Sequence, residues 1–90
     1  MSAYMVVATF IPGTDMAEVM AVVKEEQAQV AVLTEQGRLG AINISLPRQT
    51  VFIEVVADDE SAAEETVRSL PMARWWTLDV FPTRVPPPPE

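Results

Sequence analysis

The chain has 90 residues, enough for one small domain and no second core. Six Lys and Arg against 13 Asp and Glu give a net charge of −7, so the basic footprint that nucleic acid or an anionic membrane surface requires is missing. With 49 % hydrophobic residues and neither Cys nor His, the composition excludes a disordered chain, disulfides, thiolate nucleophiles, His-based triads and nearly every zinc site.

No apolar run approaches the ~18 residues needed to span a bilayer. Residues 1–14 are uncharged, whereas a secretory signal opens with a basic segment. The expectation is a soluble, cytoplasmic domain. Its chemistry uses carboxylates, amides, hydroxyls or bound cofactors. Without His and Cys the metal and haem readings fail, a carboxylate-only ion site being the one metal alternative left open.

Ala3 to Ile11 is a dense run of β-formers, apolar on both faces and stopped by Pro12-Gly13. Asp15 stands at an N-cap position, with Glu18 three residues on as in a capping box. Met16, Val19, Met20, Val23, Val30 and Leu33 then recur with helical spacing, and Gly37 supplies a stop. The spacing predicts one helix over 15–36.

Arg38 to Leu46 alternates, with Leu39, Ala41, Asn43 and Ser45 on one face and Gly40, Ile42, Ile44 and Leu46 on the other. Pro47-Arg48-Gln49 marks a hairpin turn into Thr50 to Ala57, a strand with only Glu54 polar in its interior. Asp58 to Ser61 open a second helix whose acidic start suits the helix dipole. Its apolar stripe is Ala63, Val67 and Leu70, and Pro71 closes it. Ala73 to Phe81 reads as the last strand, placing Trp75, Thr77, Asp79 and Phe81 opposite Trp76, Leu78 and Val80. Residues 84–90 end in Pro86-Pro87-Pro88-Pro89, an extended tail.

The order is β-α-β-β-α-β, an α+β ferredoxin-like arrangement: a four-stranded antiparallel sheet with two helices on one face, over residues 1–83. A domain this small buries only about two thirds or less of its unfolded surface. The bare sheet face is therefore expected to pack against a second copy, giving a dimeric α+β barrel.

Three segments resemble the muconolactone isomerase family. They are Phe10-Ile11-Pro12 at the end of the first strand, Glu25-Glu26-Gln27-Ala28 before Gly37-Arg38, and Ser69-Leu70-Pro71-Met72 followed by Thr77-Leu78-Asp79-Val80-Phe81-Pro82-Thr83. The family's C-terminal run is similar: Gly-Leu-Pro-Leu, an aromatic, then Lys-Ile-Glu-Val-Thr-Pro. The resemblance covers about 1–83. It implies a cofactor-free isomerase that moves a proton on a small lactone from aromatic degradation, assembled as a homo-oligomer up to a decamer. Where the family commonly has His, Arg and Asp along the first strand, this chain has Tyr4, Val6 and Ala8. The family's helix lysine corresponds to Gln27, and Leu39-Gly40-Ala41-Ile42-Asn43 replaces its Trp- and Arg-rich second strand. These exchanges imply a less acidic substrate, such as a lactone or enone of aromatic or polyketide origin.

Glu26 falls on the line of Val19 and Leu33 and interrupts the stripe that packs on the sheet. Burying a lone carboxylate costs several kcal/mol, so it is paired, protonated or at a polar cavity, or else it sits solvated on the helix flank. In the first case it is the candidate catalytic base. Glu54 and Asp79 lie on strand faces away from the helices. They are either interface ion-pair partners or a secondary acid/base pair. Tyr4, Asn43 and Trp76 are candidate substrate-binding groups, and Trp75 is a candidate interface residue. Three functional classes fit these residues: a proton-shifting isomerase, a silent small-molecule-binding barrel assisting a neighbouring enzyme, and an oligomerisation module.

Overall fold

The computed structural model describes residues 1–85; the Pro86–Glu90 tail lies outside them. Strand β1 (Ser2–Phe10) is followed by helices α1 (Met16–Ala21) and α2 (Val23–Glu35), then the hairpin strands β2 (Leu39–Ser45) and β3 (Thr50–Ala57). Helix α3 (Glu60–Arg68), the 3-10 turn η1 (Pro71–Trp75) and strand β4 (Trp76–Thr83) complete the domain. The sheet order is β2-β3-β1-β4, antiparallel throughout. This is the ferredoxin-like α+β architecture expected from the element order. No helix among the described residues is long and apolar enough to cross a membrane.

Helices α1 and α3 begin where the sequence offers a carboxylate, whereas α2 starts at the Val22 break with no side-chain cap. Asp15 accepts a hydrogen bond from the Ala17 amide at 2.9 Å, and Asp59 accepts one from the Ala62 amide at 2.7 Å. Both satisfy donors that a helix leaves unpaired at its start. The expected single helix over 15–36 is broken at Val22, which closes α1 with φ −108° and ψ 11°. The break needs no proline. Val22-Val23 is a pair of β-branched residues that lose rotamer freedom inside a helix. The phase of the stripe survives it: Val19 and Leu33 are both buried, with Glu26 half-buried between them.

The core lies between the sheet and the helices. Val6, Ile53, Val55, Leu33, Ala63 and Val67 are each 1 % exposed or less. Helix α3 packs over β1, β3 and β4, whereas α2 meets β2 and η1. Its stripe of Ala63, Val67 and Leu70 is fully used, as the spacing predicts.

Two local expectations are corrected. The last strand starts at Trp76 rather than Ala73, because Pro71 fixes its own φ and opens a 3-10 turn instead. Trp75 therefore belongs to that turn, its ring 4.7 Å from the Arg74 guanidinium carbon. The simple alternation of β2 also fails. Leu39 pairs with Val55 and Ile42 with Ile53, so three steps on β2 match two on β3. This bulge brings Leu39 to the core face together with Ile42, although strict alternation puts them on opposite faces.

The bulge has a side-chain support. Glu54 Oε2 accepts the Ala41 amide at 3.1 Å, and a Cβ on Gly40 would lie 2.7 Å from that same oxygen. Gly40→Ala is therefore expected to displace the carboxylate and cost about 1 kcal/mol in chemical denaturation. The cost should largely disappear in a Glu54→Ala background, since the two changes remove one interaction. Full additivity of the pair would show that Glu54 does not hold the bulge.

Candidate functional site

The sheet covers α3 closely but leaves space under α1 and α2. There, an open-sided cavity of about 480 Å³ lies between the two helices, the β2–β3 hairpin and η1. Its walls are apolar: Phe10 and Trp76 close one side, Val19 and Val30 come from the helices, and Val51 and Ile53 form the floor. Met20, Ile44 and Leu46 stand at its rim and are each more than half exposed. That size lies within the range of small-molecule sites.

Two polar side chains interrupt this lining, Glu26 and its neighbour Gln27. Glu26 Oε1 accepts the Met72 amide at 2.9 Å. Pro71 occupies the first position of η1, so the Met72 amide is one of the donors a helical turn leaves unpaired. The carboxylate thus caps from α2 a turn 46 residues away. Oε2 makes no hydrogen bond to the described residues. Burial pushes the Glu26 carboxyl above its ordinary value of 4.5, and the Met72 bond draws it partly back. The desolvated carboxylate is the more costly form, so the proton is held more firmly here than in water.

Trp76 also lines the cavity, edge-on to Phe10 with ring centroids 6.0 Å apart and planes at 82°. Its Nε1 is buried without an acceptor among the described residues. Tyr4 and Asn43 do not join Glu26. Tyr4 lies on the core face of β1 opposite Val55, beyond the cavity floor, and is nearly buried. Asn43 pairs with Phe52 on the outer face of the sheet and is exposed.

Glu54 and Asp79 lie on that outer face too, in register with Met5 and Val7 respectively. The sheet separates both from Glu26. Glu54 meets the bulge amide rather than an arginine, which explains a polar residue in an otherwise apolar strand. Gln27 was not singled out as a binding group from the sequence. The signal that points to it is its place beside a carboxylate at the edge of an apolar helix stripe. Among the described residues, no group of three or more His, Cys, Asp or Glu side chains is arranged to hold a metal ion.

The raised Glu26 pKa has a consequence for stability. The folded state binds this proton more tightly than the unfolded chain, so the contribution is favourable in acid. It is lost as pH rises from about the unfolded-state value through the folded one. Glu26→Gln keeps an acceptor for Met72 and removes the titration. The melting-temperature gap, variant minus wild type, is expected to be more positive at neutral pH than in acid near pH 4. A gap that is constant or shrinks with rising pH would contradict a desolvated Glu26. No family model matches this chain, and no curated protein matches it.

Proposed function

We propose that the cavity binds a small molecule and that Glu26 moves a proton within it, as in a cofactor-independent isomerase. The observation that carries this reading is one half-buried carboxylate, its pKa raised, on the wall of an otherwise apolar cavity. A proton shift next to a carbonyl needs a single base that takes a proton from one carbon and returns it to another. Substrate and product are then isomers, and no further reactant is consumed. Oε2 is the oxygen available for this step, since Oε1 holds the Met72 amide. The Gln27 side chain is the neighbouring donor for the enolate oxygen, a role that Tyr4 and Asn43 are not placed to fill.

The resemblance to muconolactone isomerases supports the same reading. Two of the segments that carry it, Glu26-Gln27 and Leu70-Pro71-Met72, border one cavity and are joined by the Glu26–Met72 hydrogen bond. Within this reading the substrate is a small lactone or enone of aromatic or polyketide origin, handled in the cytoplasm without a cofactor. The Met72 bond favours a second reading, in which Glu26 is a cap for η1 and the cavity binds without catalysis.

Proton exchange separates the two. NMR in deuterated buffer with candidate lactones and enones is expected to show deuterium entering a bound substrate at carbon. Glu26→Gln should lower that rate about a hundredfold while binding persists. Binding without any wild-type exchange across the substrates would leave the non-catalytic reading.

We further propose that the outer sheet face packs against a second copy as an α+β barrel. Phe52 and Phe81 are 38 % and 52 % exposed there, beside the half-buried Met5, Val7 and Val56. An apolar face of this kind on so small a domain is a contact surface. Light scattering at micromolar concentration should give at least twice the single-chain mass, and Phe81→Glu should reduce it. A wild-type mass of one chain would end the proposal.

A further inference from the structure

The cavity's own chemistry narrows what it accepts. Among the described residues neither Lys nor Arg lines it, so no cationic side chain of theirs neutralises an anion there. A ligand carboxylate would have to lose its hydration in an apolar space beside Glu26, within a chain of net charge −7. An ammonium group is also poorly served. It carries three donors, whereas one Glu26 oxygen is already committed to Met72 and the remaining lining is almost wholly apolar. The two polar side chains, Glu26 and Gln27, are consecutive on α2, so the acceptors of the lining side chains gather at one end, and Trp76 Nε1 adds a donor without an acceptor among the described residues.

From this arrangement we infer that the cavity selects an uncharged, mostly apolar ligand bearing a single carbonyl or hydroxyl, which sits at the Glu26–Gln27 end, and that it excludes carboxylates. The inference rests on the reading of this cavity as the ligand site. It deepens that reading by fixing the charge class and the polar end of the ligand. The apolar remainder contacts Phe10, Trp76, Val30 and Ile53, and Met20 and Leu46 cover it at the rim.

Three probes of one shape and different charge test this: methyl 2-naphthyl ketone, 2-naphthoate and 2-naphthylmethylammonium. Each is titrated into the nitrogen-15-labelled chain at neutral pH and about 0.15 M salt, where the Debye length is roughly 8 Å and long-range charge is damped. The Trp76 indole N–H is the site reporter, distinguished from that of Trp75 in a Trp75→Phe chain. The ketone is expected to shift this signal and to bind about tenfold or more tightly than either ion. Glu26→Gln should narrow the gap between ketone and naphthoate, because it removes the like charge. Ala31→Trp, at an exposed position of the cavity wall, should block the ketone while the chain stays folded.

Naphthoate or the ammonium binding as tightly as the ketone would overturn the inference. So would a ketone that leaves the Trp76 signal unmoved, or a ketone–naphthoate gap unchanged by Glu26→Gln. Selective ketone binding with no proton exchange into any substrate would defeat the isomerase reading and leave this inference standing.

Discussion

The hydrogen bond from the Met72 amide to Glu26 Oε1 joins the two crossovers of the fold at the wall of the cavity. The first crossover carries α1 and α2 from β1 to β2, and the second carries α3 and η1 from β3 to β4. Without an acceptor, the Met72 amide would be a part-buried donor at the start of a 3-10 turn, at a cost of about 1–3 kcal/mol. With Glu26 as that acceptor, η1 is fixed against α2 and the strand that follows begins at Trp76. The same bond holds the carboxylate at the cavity wall and leaves its second oxygen free. This interaction therefore places at the end of the cavity the one charged side chain that lines it among the described residues.

The cavity itself follows from unequal helix coverage. Helix α3 has a sharp apolar stripe of small and medium residues and closes tightly over β1, β3 and β4. Helix α2 is only weakly amphipathic, contributes Leu33 as its one buried residue, and reaches β2 near one end. The break at Val22 turns α1 away from a continuous axis, so its methionines are exposed at the rim instead of filling the floor. The space that is left is lined by Val and Ile side chains of the hairpin. It is an apolar site because the strands beneath it are core strands, and it is open because no helix stripe was available to fill it.

Much of this was legible in the residue pattern. Alternation and helical spacing place the sheet, both crossovers and the α3 stripe, because binary patterning reports which face is buried. The interruption at Glu26 identifies the carboxylate that lines the cavity among the described residues. Besides the helix break at Val22, three features were not legible, each because it depends on a partner elsewhere in the fold. The bulge at Gly40-Ala41 depends on the Glu54 side chain of the next strand, and strict alternation carries no record of a partner's register. The extent of η1 reflects Pro71 acting together with Glu26 from α2, a contact across 46 residues. Asn43 and Tyr4 look like site groups by residue type, yet the register sends Asn43 to the outer face and Tyr4 beyond the cavity floor.

The two faces of the sheet also divide the chain's acidic residues by chemistry. Glu54 and Asp79 are exposed on the outer face of the sheet. Glu26 lies on the other side, where the surroundings supply one amide and little else. A base of raised pKa is stronger toward a carbon acid than an ordinary carboxylate. The apolar wall raises the pKa by desolvating the carboxylate, while the open side of the cavity leaves it reachable by a ligand. Under the proposed function, the residue that costs the fold stability at neutral pH is the one that carries the proton, and the Met72 amide offsets part of that cost.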